Sequence, residues 1–228
     1  MPDGANHVAF AYSADGKDRF TTLYPNLNLL TDSREFKNKN VADPFESTSI
    51  TSPDSTIAKE GNDTYLHFSR TGSNSLDWFK AYLIRGGSAF KDFKNVDIKP
   101  NSQYTFSVWL KGTGEHTIIA YNNWTIPNPT TLTVNLTNTW TKYVLTVNTA
   151  ADITSNDARF FIRSENVGTE INLKYPKVEE GSTATPWMPS FSEATAEDYP
   201  SYIGTYTDND SNTQSTNPER YSWKKIVE

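Results

Sequence analysis

YTFSVWLK, residues 104–111, decides the fold class. Tyr104, Phe106, Val108 and Leu110 alternate with Thr105, Ser107, Trp109 and Lys111. Successive side chains of a strand point to opposite faces, so a period of two gives one apolar face and one mixed face. The same alternation recurs outward from this stretch. TYLHFSR (64–70) sets Leu66 and Phe68 against Tyr65, His67 and Ser69, and TLTVNL (131–136) sets Leu132, Val134 and Leu136 against Thr131, Thr133 and Asn135. KYVLTVNT (142–149), RFFIRS (159–164) and EINLKY (170–175) add three more runs. Pro, Gly and Asn punctuate them at Lys99-Pro100-Asn101-Ser102, Gly112-Thr113-Gly114 and Leu136-Thr137-Asn138-Thr139. The best helix candidate, SEATAED (192–198), is one short turn. The pattern predicts an all-β, antiparallel sandwich.

Bulk composition narrows the function. A chain of 228 residues with 36% hydrophobic and 21% charged residues buries a real core without metal or disulfide staples. No cysteine is present, which excludes disulfide frameworks, thiolate metal sites and cysteine nucleophiles. The net charge of −6 and scattered Lys and Arg argue against a nucleic-acid partner, which wants a basic stripe. No run of 18 apolar residues exists, so no membrane insertion is expected. His7, His67 and His116 have no ligand spacing, and no metal site is read from them.

The two ends differ from the middle. Residues 8–24 and 202–223 are polar and turn-rich, and Tyr24-Pro25 and Tyr199-Pro200 mark matching junctions. The expected organisation is one half of a connector at 1–25, a globular module at 26–198 and the other half at 199–228, as for a domain inserted into an exposed loop.

Two stretches combine rings with hydrogen-bonding side chains. AYNNWTIPN (120–128) places Tyr121, Asn122, Asn123 and Trp124 together before Pro127 and Pro129. Rings stack on the C–H face of a sugar, and amides reach its hydroxyls. Tyr121 and Trp124 share a surface only if the strand ends or bulges near Asn122; otherwise they cap and cover the core. In NSLDWFKAY (74–82), period two sends Trp78 and Tyr82 outward and leaves Phe79, Ala81 and Leu83 as core; the two rings are then either a platform or are covered by the opposite sheet or a loop. Trp109 joins the site if its strand is open on that face, and Arg163 shares a face with Phe161 and Arg159. Trp140, Trp187 and Trp223 read as structural. A glycosidase would need two carboxylates in a cleft, one with a raised pKa. Asp77, Asp92, Asp97, Glu115, Glu165 and Glu170 offer arbitrary pairs and no apolar setting, and no nucleophile elbow or phosphate loop is present, so no enzyme is expected.

PKVEEGSTATPWMPS (176–190), LNLLTDSREF (27–36), NSQYTFSVWLKG (101–112), NTWTKYVLTV (138–147) and the flanks AYSADGKDRFTT and YIGTYTDNDSNTQSTNPERYSW carry a resemblance. They resemble carbohydrate-binding modules in tail and baseplate accessory proteins of phages of Gram-positive, lactococcal or streptococcal-type bacteria. The resemblance implies a jelly-roll β-sandwich with connector segments at both ends. It also implies a virion location, with host cell-wall polysaccharide and other tail or baseplate proteins as partners. The carbohydrate-binding candidates are then Trp78, Tyr82, Trp109, Tyr121, Asn122, Asn123, Trp124 and Arg163. The alternative is a structural spacer of the tail with a protein interface. Related jelly rolls often hold a structural calcium through an Asp near the last strand; here INLKYPKVEE has none, which leaves Glu179 or Glu180 as oxygen donors and calcium in doubt.

Overall fold

The computed structural model describes residues 4–40, 48–72, 74–85, 93–94, 96–154, 156–165 and 169–227. The alternation at residues 104–111 is borne out on its apolar side, since Tyr104, Phe106, Val108 and Leu110 are all buried. The described strands are β1 (Ala5–Ala11), β2 (Ile50–Thr51), β3 (Thr56–Glu60), β4 (Asp63–Ser69), β5 (Leu76–Arg85), β6 (Phe93–Lys94), β7 (Gln103–Gly112) and β8 (Gly114–Tyr121). They continue with β9 (Thr125–Ile126), β10 (Thr130–Leu136), β11 (Thr141–Thr149), β12 (Asp157–Ser164), β13 (Glu170–Glu180), β14 (Tyr202–Asp208) and β15 (Ser222–Lys225). The expected short helix is a single 3-10 turn over Ala196–Asp198.

The chain forms two compact units. One comprises Met1–Leu27, Thr185–Met188 and Glu193–Glu228. Its sheet has the order β1-β14-β15, so the first strand pairs with one almost 200 residues later, with Ala5 opposite Asp208 and Ala11 opposite Tyr202. A small aromatic core holds it: His7 stacks on Tyr206 at 4.5 Å, Tyr221 meets Tyr206 at 4.8 Å, and Phe20 meets Tyr221 at 5.5 Å. Trp223 lies across Gly16, where φ is +75° and any Cβ would overlap the indole. Its N–H donates to the Pro218 carbonyl at 2.9 Å.

The other unit, Asn28–Ala184 with Pro189–Ser192, is the sandwich. One sheet runs β10-β8-β12-β5-β2 with β6 also on β5, and the other runs β3-β4-β13-β7-β11-β9. Every strand pairing is antiparallel. The consecutive strands β7 and β8 belong to different sheets, so the Gly112-Thr113-Gly114 turn crosses the sandwich rather than closing a hairpin. At Gly112 a Cβ would collide with the Glu170 backbone, which explains the residue chosen there.

Inner faces meet through rings. Phe106 of β7 stacks on Phe160 of β12 at 4.9 Å and 21°, and Phe68 of β4 stacks on Trp78 of β5 at 5.1 Å and 5°. Trp124 packs edge-on against Phe160 at 5.3 Å. Offset and edge-to-face pairs add about 0.5–1.5 kcal/mol each beyond the area they bury.

The outer face of the β7 sheet is not fully open, contrary to the period-two expectation. Thr105 and Ser107 are buried, and beside them lies a fully buried ion pair, Lys177 to Glu179 at 3.2 Å. Burial strips water from the Lys177 ammonium and pushes its pKa down to about 8, although the neighbouring Glu179 carboxylate opposes that shift. Removing one member of a buried pair strands the other charge, at a cost of about 3–5 kcal/mol, whereas replacing both by apolar residues is often neutral or stabilising. Urea denaturation should therefore show Glu179→Gln losing several kcal/mol, and the Lys177→Met/Glu179→Leu double variant regaining most of it.

Candidate functional site

The outer face of the β10-β8-β12-β5-β2 sheet is organised by register. Tyr121 of β8 lies opposite Arg159 of β12, and Arg159 lies opposite Tyr82 of β5. The next row joins Thr131, Ile119, Phe161 and Lys80, and the one after joins Thr133, Thr117, Arg163 and Asp77. Strands sit about 4.8 Å apart, so the Tyr121–Arg159–Tyr82 row is roughly 10 Å wide, close to the length of two sugar rings.

Arg159 is the centre of this face. Its guanidinium carbon lies 5.4 Å from the Tyr121 ring, 5.6 Å from Phe161 and 5.8 Å from Tyr82. These are cation–π distances, and they hold the planar group in place between rings. It donates to the Asp157 carboxylate, yet its Nε is buried without a partner. Arg163 lies 5.5 Å from the Phe161 ring and donates from Nε to Asp77 at 2.8 Å, a bond that raises its pKa further. Tyr121 is 41% exposed and presents a ring to solvent. Tyr82 is nearly covered; burial raises its hydroxyl pKa, against the opposing charges of Arg85 and Arg159.

Of the residues singled out in the sequence, Tyr82, Tyr121 and Arg163 meet on this face. Asn122 and Asn123 flank it at the end of β8, both with positive φ (95° and 61°), a conformation Asn tolerates well. Their loop is closed by Asn128, whose side-chain oxygen accepts from Asn122 N–H at 3.3 Å and whose amide donates to Asn123.

Trp124 and Trp78 are corrections. Trp124 is fully buried, and its indole N–H donates to the Tyr121 carbonyl at 2.9 Å. The chain does bend after Tyr121, but the bend turns Trp124 into the core and leaves Tyr121 outside. Trp78 is 1% exposed because β5 carries a register irregularity there: Phe79 pairs with Ile162 and Asp77 with Arg163, which leaves Trp78 as the extra residue. A bulge breaks the alternation, so Trp78 and Phe79 both face inward. A second irregularity near Leu83 does the same between Tyr82 and Ile84. Neither Trp78 nor Trp124 has an open ring face for a ligand.

Trp109 does not join the site. It is half-buried on β7 in the opposite sheet, between Lys142 and Lys174. Trp140 is also on that outer side, half-buried rather than core, with Lys174 and Lys111 at 4.4 and 4.9 Å from its ring and its N–H donated to Glu60 at 3.0 Å. Sequence reasoning undervalued Arg159, Phe161, Asp77 and Lys80; the alternation in RFFIRS put Arg159 beside Arg163, but the cross-strand partners were invisible.

Calcium does not fit the acids considered for it. The Lys177 ammonium sits against Glu179, and Lys99 bonds both Glu180 oxygens at 2.9 Å. A second cation there would face repulsion. Among the described residues no group of three or more His, Cys, Asp or Glu is arranged to hold a metal. Of the acids considered for catalysis, Asp77 is matched by Arg163, Glu165 accepts from Ser75 at 3.2 Å, and Asp92 lies outside the described residues.

No protein-family model matches the chain, and no curated protein matches it. Solved structures do. The chain is similar to the tripod from the baseplate of bacteriophage Tuc2009, with 27% identity and a TM-score of 0.68 over 99% of this chain and 80% of that one. A carbohydrate-binding module, CBM4, aligns at 15% identity and TM-score 0.43 over 64% of this chain and 94% of that one. A family 16 carbohydrate-binding module aligns at 16% and 0.44 over 67% and 100%. Likeness at those two scores carries no functional argument. The first supports an architecture shared, over the whole length, with a phage baseplate component.

Burial separates the two aromatic neighbours of the loop. Truncating a buried Trp costs about 3–5 kcal/mol, whereas exposed positions usually change stability by no more than about 0.5 kcal/mol. Trp124→Ala should show the large loss in urea denaturation, and Tyr121→Ala should stay within about 1 kcal/mol of the parent.

Proposed function

We propose that this chain is a phage baseplate protein that binds saccharide, without catalysis, on the outer face of the β10-β8-β12-β5-β2 sheet. The observation that carries the saccharide part is the Tyr121–Arg159–Tyr82 row, an exposed ring beside a half-buried guanidinium that is paired with Asp157 and keeps a buried, unpartnered Nε. Tyr121 supplies a stacking platform, and Arg159, Arg163, Asp77 and the Thr117 and Thr133 hydroxyls supply donors and acceptors for ring hydroxyls. The whole-length similarity to a baseplate tripod supports the virion setting.

The finer reading is adhesion to host cell-wall polysaccharide. A shallow face of this kind binds a single sugar weakly. Many copies on a symmetric particle would convert weak contacts into durable attachment, because each further contact is effectively intramolecular. Reversible contacts would then keep the virion at the cell surface.

Labelled chain should bind intact Gram-positive host cells, and purified wall polysaccharide should displace it. Tyr121→Ala should weaken binding about tenfold or more, equivalent to about 1.4 kcal/mol. Phe191→Ser, at a residue 85% exposed and off this face, should not. Absence of binding even for a multivalent display would overturn the saccharide reading in favour of a structural spacer.

A further inference from the structure

Trp109 stands on the outer side of the sheet opposite the Tyr121 face, with Lys142 of β11 across from it on one flank and Lys174 of β13 on the other. Residues directly opposite in an antiparallel pair share a face, with Cβ atoms about 4.5–5.5 Å apart. Among the described residues no ring or cation packs on the Trp109 indole, and no acceptor meets its N–H. The side chain is half-buried, and its nitrogen still reaches solvent.

Lys142 is the odd cation of this sheet. Strands β7, β11 and β13 hold four lysines, and three of them are paired. Lys111 meets Glu60 at 3.1 Å, Lys174 meets Asp63 at 2.7 Å, and Lys177 meets Glu179 at 3.2 Å. Lys142 makes no ion pair and no side-chain hydrogen bond among the described residues, yet its ammonium also reaches solvent. Burial lowers its pKa; Glu179 opposes the shift, but that carboxylate already answers Lys177. A half-desolvated ammonium gains more from an arriving anion than a fully hydrated one, because water screens the attraction less. Trp109 supplies a second donor from the neighbouring strand, so one anionic group can meet both.

The surroundings suit a small polar ligand better than a protein. A stable protein interface buries about 800 Å² on each partner around an apolar centre. Here the next row is Val144, Ser107 and Lys177, and the one after is Thr146, Thr105 and Glu179. Val144 is the single apolar side chain of the two rows, and four of the other five are already buried or paired within the chain.

We propose that Trp109 and Lys142 form a second ligand site, on the sheet opposite the Tyr121 face, for an anionic sugar whose carboxylate or phosphoryl oxygens accept from the Lys142 ammonium and the Trp109 indole. The C–H face of the sugar lies on the indole ring. Charge-assisted bonds are about twice as strong as neutral ones, so the site selects acidic sugars over neutral ones. It is independent of the Tyr121 face.

The test follows the indole N–H groups of the full chain by ¹H–¹⁵N NMR, with the Trp109 signal assigned from Trp109→Phe. Glucuronate and glucose 1-phosphate are titrated as the two anion sources, with glucose as the neutral probe. One or both anions should move the Trp109 signal, and which of them does so identifies the source. Lys142→Gln should weaken that response at least tenfold and Lys142→Arg should keep it, while the dispersion of the remaining signals reports that each variant is folded. Tyr121→Ala should leave the response unchanged. Silence from both anions would overturn the site, as would an equal response to glucose or an undiminished response in folded Lys142→Gln. Loss of the response in Tyr121→Ala would assign the anion to the first face and overturn this one. Cell binding that depends on Tyr121 is measured separately, so either site can fail without the other.

Discussion

The stack of Phe106 on Phe160 is the contact on which the rest of the sandwich depends. It fixes one sheet against the other at a central strand of each, and Trp124 braces it from the side. Because side chains alternate along β12, burying Phe160 and Ile162 obliges Arg159, Phe161 and Arg163 to face outward. The candidate face is therefore a consequence of core packing. Its groups sit on strands rather than on loops, so little ordering is left for a ligand to impose.

Where the face needs something that alternation would not give, the backbone departs from regularity. The extra residue at Trp78 turns a large ring into the core without moving Asp77 from its place beside Arg163. A regular strand would have sent Trp78 outward and broken its stack on Phe68. Bulges cluster beside functional sites for this reason: they re-aim single side chains while leaving the flanking register intact.

The electrostatics of the face also differ from those of the whole. The chain carries a net charge of −6, yet Arg159, Arg163 and Lys80 lie in adjacent rows of one sheet. Net charge governs solubility and encounter at a distance, whereas recognition depends on the few groups within bonding reach. On the opposite sheet, Lys174 and Lys111 lie over Trp140 and Lys177 is neutralised by Glu179, while on the candidate face Arg159 and Arg163 are paired with Asp157 and Asp77.

Strand period and composition were legible in the chain itself. The runs around Phe68, Phe106, Val134, Leu145 and Phe160 specified an antiparallel β-sandwich, and Tyr121, Tyr82 and Arg163 were recoverable as site candidates from their residue types and positions. Strand partners were not legible, because period two says which face a residue takes but not which strand lies beside it. That is why the Gly112-Thr113-Gly114 crossing between sheets, the separation of Trp109 from Tyr121, and the central place of Arg159 required the tertiary structure. Nor does a local sequence mark a bulge or a loop that folds inward. A ring at Trp78 or Trp124 suits a sugar platform and a core equally well, and only packing against Phe68 or Phe160 decides between them, because a ring face that is already covered has none left for a ligand.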